Sequence, residues 1–241
     1  MKLFASGCSF TWGGAIFDSL YENNIILDEN NNSSLNKTRL EITWPGQLSK
    51  LLNCSEFHNH SMGCGSNNRI IRKTFNFFLD KIQNGEDLSE WIAIIQWTEP
   101  SRFEFFDEKS KSWAIIKSEG FLTEIPREIN KKEKDEVLSQ FFWSNDTSWE
   151  EKHFNEIITL GNFFKIHDIK YLFTAMMPPE LSKGHTQYCN KNFVWYNNDI
   201  RECSISKMND VKECSNSSHP SMEGHNMIAK KFYKFIDQNI K

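Results

Sequence analysis

Apolar and polar positions along this chain fall into blocks that read alternately as strand and helix. Lys2 to Ala5 is a short apolar strand that breaks at Gly7. Trp91 to Trp97 (WIAIIQW) and Lys170 to Met176 (KYLFTAM) are near-continuous apolar runs, as strands buried on both faces require. Glu56 to Ser61 reads as a further strand. Between the strands, Trp44-Pro45 opens a short helix through Leu52, with proline in the first turn, where it is tolerated. Ser66 caps a helix that carries Ile70, Ile71, Phe75, Phe78 and Ile82 at helical spacing. Residues 149 to 167 are helical. Ser221 to Ile240 form an amphipathic last helix, apolar at Met227, Ile228, Phe232, Phe235 and Ile236. This alternation predicts an α/β fold, a three-layer α/β/α sandwich around a mainly parallel sheet. The polar stretch Asn30 to Asn36 reads as a surface loop. Residues 103 to 146 show no sustained period, and 178 to 215 are polar and irregular, so both read as insertions. No repeat or linker divides residues 1 to 241, which are expected to form one domain.

Composition narrows the functional classes. A net charge of -4 and a pI near 6.0 give no basic footprint for nucleic acid. Twenty Phe and eight Trp are read mainly as core. No apolar stretch reaches the ~20 residues of a membrane span, and Met1 leads straight into a strand without a basic leader. The cytoplasm is therefore the default location. The six cysteines (Cys8, Cys54, Cys64, Cys189, Cys203, Cys214) read as thiols. A Cys203–Cys214 pair is reserved for an exported protein.

The break at Gly7 brings the chain's chemistry into view. It places Cys8, Ser9, Phe10 and Thr11 at the carboxyl edge of the sheet, where open α/β sheets keep their reactive groups. A serine on a tight turn there exposes its hydroxyl beside a backbone N–H, which suits a nucleophile. His219-Pro220, in the last loop, supplies a base from a distant part of the sequence. The bland alternative for Ser9 is a helix cap. Cys8 reads as a small buried filler and His225 as a packing residue of the last helix. Cys54, His58, His60 and Cys64 are competent zinc ligands, but C-x3-H-x-H-x3-C matches no common zinc module. Arg69, Arg72 and Arg102 suit an anionic substrate, although ion-paired faces are the favoured reading.

The ordered set of motifs resembles the SGNH (GDSL-like) hydrolase superfamily, and within it a subgroup opening with G-C-S-F-T in place of G-D-S. The first block maps the nucleophile onto Ser9. The second, an Asn- and Gly-rich turn, is similar to residues Asn59 to Asn67. Its backbone N–H for the oxyanion maps onto Gly65, with Gly63 or Cys64 as the alternatives. The last block, D-x-x-H-P, resembles Asn216-Ser217-Ser218-His219-Pro220, so Asn216 stands in the place of the acid. The third block, G-x-N-D, is answered by Gln96-Trp97-Thr98-Glu99, which puts Thr98 where an oxyanion-donating Asn is expected; Gln96 or Asn67 are substitutes. Asp210 or a backbone carbonyl would then orient the imidazole.

The resemblance implies an SGNH/flavodoxin-like fold and a serine esterase without metal or organic cofactor. Ser9, Gly65 and Thr98 would hold the oxyanion, and the substrate would be a short-chain, O-acetyl-type ester, on a carbohydrate. An O-acyltransferase at the same site is the first alternative. A catalytically silent fold that binds a glycan or a protein through Trp113, Phe141, Phe142, Trp143, Trp195 and Tyr196 is the second. A Cys/His metal-dependent enzyme is the third.

Overall fold

In the computed structural model the described residues are 1–14, 16, 39–116, 122–124, 146–208, 211, 213 and 218–240. Four parallel strands form the central sheet: β1 (Lys2–Ser6), β2 (Glu56–Asn59), β3 (Trp91–Trp97) and β7 (Lys170–Ala175), in the order β2-β1-β3-β7. All seven residues of β3 and the last five of β7 are buried, which accounts for their unbroken apolar sequence. The free edge of β7 is partly covered by parallel bridges from Phe173 to Trp195 and from Ala175 to Ser204.

Helices cover both faces, giving the three-layer sandwich that the alternation predicts. Helices α2 (Trp44–Leu51) and α6 (Met222–Asn239) pack on each other, with the Trp44 and Phe232 rings edge to face at 5.1 Å. Helices α3 (Asn67–Gln83) and α4 (Asp146–Ile166) form the other pair, where Phe75 meets Phe163 at 4.7 Å. Ser66 caps α3 by accepting the Arg69 N–H, and Ser221 caps α6 by accepting the Gly224 N–H. Phe4, Phe77, Phe78, Trp91 and Phe164 make a continuous aromatic layer between the sheet and α3–α4. Trp44, Trp91, Trp97 and Trp195 are fully buried.

Two segments depart from the sequence reading. The stretch beginning at residue 103 contains a second, antiparallel sheet: β4 (Phe103–Asp107), β5 (Ser112–Ile116) and β6 (Leu122–Glu124). Phe105 and Phe106 are adjacent aromatics, and this hides the two-residue period. Asp107 is buried because its carboxylate accepts the Ser110 N–H and closes the hairpin turn. The Arg72 guanidinium docks this sheet on α3, pairing with Glu104 through two nitrogens and lying 4.1 Å from the Trp113 ring. The stretch from 178 holds helix α5 (Lys183–Asn192), whose sequence KGHTQYCNKN buries only Thr186 and Cys189. So polar a helix carries no amphipathic signal. Short α1 (Ser9–Trp12) follows β1 directly. The loop expected at Asn30 to Asn36 lies outside the described residues.

The five described cysteines are free thiols, Cys203 among them. Cys214 lies outside the described residues. Burial pushes the Cys189 thiol up to about 12. No described helix is long and apolar enough to cross a membrane.

Phe78 and Leu79 are chain neighbours with opposite environments, the first fully buried and the second 44 % exposed. Phe78→Ala is expected to lower the unfolding free energy by about 3–5 kcal/mol, and Leu79→Ala by about 0.5 kcal/mol or less. Urea titration of the two variants checks this.

Candidate active site

The strand order reverses around β1, since the chain passes from β1 outward to β2 and returns across β1 to β3. The crevice outside the carboxyl ends of the two central strands is where such sheets take ligands. Ser6 pairs with Ile95 in the last register position, so the chain leaving β1 emerges beside Gln96, Trp97 and Thr98. Gly7 is required at the exit. A Cβ there would lie 2.4 Å from the Thr11 hydroxyl and 2.8 Å from the Gln96 amide oxygen. The absent side chain admits a buried polar layer under the turn. Thr11 Oγ1 donates to Gln96 Oε1, and Cys8 Sγ sits 3.4 Å from Gln96 Nε2 and 3.8 Å from the Met176 sulfur. Cys8 is accordingly a fully buried packing residue.

Helix α1 starts at Ser9. Both Thr11 and Trp12 donate their N–H groups to the Cys8 carbonyl, and the Ser9 N–H makes no hydrogen bond among the described residues. His219 arrives from the loop before α6 with Nε2 2.8 Å from Ser9 Oγ. The Phe10 ring lies 4.9 Å from the imidazole. A Cβ on Gly14 would stand 3.1 Å from Ser9 Cβ and 3.4 Å from the imidazole, so a glycine there leaves the pair its space. The sequence reading did not single out Phe10 or Gly14; an apolar residue and a glycine carry no chemical signature. Nδ1 of His219 is buried. Asn216 and Asp210, candidates for orienting it, lie outside the described residues.

The remaining oxyanion candidates separate. Thr98 follows β3, is 5 % exposed, and keeps its hydroxyl buried with no hydrogen-bond partner among the described residues. Gly65 packs against the Gly7–Cys8 backbone, but its N–H donates to the Met62 carbonyl at 3.1 Å. In this conformation the turn itself uses the donor expected to face the oxyanion. The N–H groups of Gly63 and Cys64, its alternatives, make no hydrogen bond among the described residues. Cys64 occupies the left-handed region with φ 59°. Both substitute donors already have partners. The Gln96 amide serves Cys8 and Thr11, and the Asn67 amide serves the Thr98 backbone.

The other candidates sit in structural roles. Among the described residues no three His, Cys, Asp or Glu side chains converge as metal ligands. His58 pairs with Glu56 at 2.8 Å, while the His60 ring lies between Phe4 and Phe77. Burial, followed by the charges of His58, Lys73 and Arg69, pushes His60 down to about 4. Arg69 is buried and donates to the His60 carbonyl, and Arg102 pairs with Glu99 at 3.2 Å. Trp195 and Tyr196 are buried and supply no binding surface, which corrects that part of the binding-module reading. Trp113 is 43 % exposed; Phe141, Phe142 and Trp143 lie outside the described residues.

A cleft of about 550 Å³ opens along the same sheet edge between the segments after β3 and β7 and the first turns of α4. Thr98, Glu99, Ser101, Trp149, Glu150, His153 and Glu180 line it, with Met177 and a run of prolines, and among the described residues no lysine or arginine does.

His225 lies behind the pair, fully buried, with Nδ1 accepting the Trp44 N–H at 3.0 Å. Burial first, and the neighbouring His219 second, push it down to about 3 from the ordinary 6.5. Between those values the unfolded chain binds a proton that the folded chain refuses, so stability falls as pH falls through this window. His225→Gln keeps an acceptor and removes the titration. Wild type is expected to lose about 2 kcal/mol more than the variant between pH 7 and pH 5, measured by urea unfolding.

Comparison with curated protein sequences finds no match. Among solved structures, the chain is similar to a G-D-S-L family protein of Desulfitobacterium hafniense, at 13 % identity over 97 % of this chain and 98 % of that one (TM-score 0.49). It is similar also to a psychrotrophic esterase from Pseudoalteromonas sp. (10 % identity, 98 % and 97 % covered, TM-score 0.46). A GDSL-like lipase from Bacteroides thetaiotaomicron is a third (10 %, 99 % and 89 %, TM-score 0.45). The model of a family of unknown function, DUF6071, matches residues 24–240, and the chain belongs to that family.

Proposed function

We propose that this protein is a serine esterase of the SGNH type, with Ser9 as nucleophile and His219 as its general base. One observation carries the reading. Two residues 210 positions apart meet at 2.8 Å, hydroxyl to imidazole nitrogen, at the carboxyl edge of a parallel sheet. In the proposed first half-reaction Ser9 Oγ attacks the ester carbonyl while His219 Nε2 takes the hydroxyl proton. As the tetrahedral intermediate collapses, His219 returns that proton to the departing alcohol and an acyl-Ser9 ester remains. Water, deprotonated by the same imidazole, then releases the acid. The Ser9 N–H and the Thr98 hydroxyl are the donors assigned to the oxyanion. Gly65 joins them only by giving up its bond to Met62. Burial keeps His225 uncharged, so it adds no positive charge against the imidazolium that forms on His219.

The cleft beside Thr98 supports a substrate class. Among the described residues Glu99, Glu150 and Glu180 line it and no lysine or arginine does; with Glu99 paired to Arg102 and Glu150 to His185, the lining supports an uncharged group over an anion. Trp149 offers a flat apolar face and Ser101 a hydroxyl, which suits an uncharged sugar ring. The reading is therefore a short-chain, O-acetyl-type ester of a carbohydrate. A sugar hydroxyl in place of water in the second half-reaction turns the same site into an O-acyltransferase. No metal or organic cofactor enters either version.

The test is labelling with a fluorophosphonate probe and turnover of 4-nitrophenyl acetate. Native protein is expected to do both, Ser9→Ala neither, and His219→Ala to lose at least about 1000-fold in kcat. Acetate release from acetylated neutral sugars is expected to exceed release from O-acetyl esters of phosphorylated or carboxylated sugars. A folded native protein that neither labels nor turns over any ester excludes the enzyme reading and leaves the glycan- or protein-binding one.

A further inference from the structure

A buried hydroxyl without a partner costs free energy, and such groups in a folded protein call for a reason. Among the described residues Thr98 carries one, while its backbone is held at both the N–H and the carbonyl. The Asn67 Oδ1 accepts the Thr98 N–H at 2.9 Å, and Asn67 Nδ2 donates to the Thr98 carbonyl at 3.2 Å. A backbone donor and a backbone acceptor together dictate which way the amide faces. The same Nδ2 lies 3.0 Å from Nδ1 of His153. An amide nitrogen only donates, so this contact has Nδ1 accepting; the same Nδ1 lies 3.4 Å from Glu156 Oε2, a longer contact, while the Glu156 carboxylate also faces Lys152.

Asn67 is 0 %, His153 2 % and Thr98 5 % exposed. They come from three separate elements: the first residue of α3, the first turns of α4, and the exit of β3. The bridge satisfies the buried N–H and carbonyl of the strand exit, which an apolar side chain at position 67 could not do. What the bridge does is remove the freedom of Thr98 while leaving its hydroxyl unused.

We propose that Asn67, held from behind by His153, is a positioning residue for acyl transfer, fixing Thr98 so that its hydroxyl is ready to donate to the oxyanion. This rests on the esterase reading. A donor already in place costs no reordering when charge develops on the carbonyl oxygen. Thr98 keeps its proton throughout, and the bond is a hydrogen bond only. His153 and Thr98 both line the cleft, so the bridge runs beside the proposed substrate-binding region.

A double-mutant cycle on kcat and KM with 4-nitrophenyl acetate tests the inference. Thr98→Val is expected to lose about 100- to 1000-fold in kcat. Asn67→Ala is expected to lose about 10- to 100-fold, each with KM changed by about twofold or less. Because Asn67 acts through Thr98, the double variant is expected within about threefold of Thr98→Val alone. Asn67→Asp keeps the acceptor for the Thr98 N–H and covers the case in which Asn67→Ala does not fold. Its smaller loss is likewise expected to vanish on the Thr98→Val background. Losses that multiply, or that fall on KM instead of kcat, overturn the inference while leaving the esterase reading intact. Turnover that survives Ser9→Ala, or a folded native protein without turnover, overturns both.

Discussion

The parallel pairing of β1 with β3 is the constraint on which the rest of this structure depends. β1 has β2 on one side and β3 on the other, and its ladder to β3 ends with Ser6 opposite Ile95. A one-residue slip would exchange the two faces of the strand. It would set Phe4 against α2 and α6 instead of the aromatic layer, and it would carry Gly7 away from Gln96. The register is held because both faces of both strands are buried: Leu3, Phe4, Ala5 and every residue of β3 are enclosed. Packing on two sides therefore determines where the chain leaves the sheet, and the exit places Ser9.

Beneath the exit the core changes character from apolar to hydrogen-bonded. Gln96, Thr11 and Cys8 form one buried polar group, and Asn67, Thr98 and His153 another, on the two sides of the β3 end. Polar groups inside a protein are tolerated when their partners are in place, and satisfied networks restrict the backbone to one arrangement. Here they stiffen the two turns that carry Ser9 and Thr98. The smallness of Gly7 and Gly14 is part of the same design, since each gives room to a neighbour that a methyl group would displace.

Electrostatics follow the burial. His225, behind the Ser9–His219 pair, is kept neutral by its surroundings, and the basic residues once open to an anion are occupied elsewhere. Arg69 holds a backbone carbonyl, Arg72 fastens the second sheet, and Arg102 pairs with Glu99. The cleft beside Thr98 is left with carboxylates and an indole.

The amino-acid sequence by itself determined the strands β1, β3 and β7, the helices α2, α3 and α6, and the layered parallel architecture. Those features are written in local periodicity, and burial on both faces or on one stripe leaves a readable pattern. It also marked Ser9 and His219 as partners by motif. The antiparallel sheet and helix α5 were not legible. One hides its alternation in adjacent aromatics, and the other is polar along nearly its whole length. Tertiary structure alone decided that the Gly65 amide turns onto Met62, that Asn67 grips Thr98, and that Trp195 and Tyr196 are inside. Each depends on groups far apart in the chain meeting within hydrogen-bond or van der Waals distance, and no local pattern encodes such a meeting.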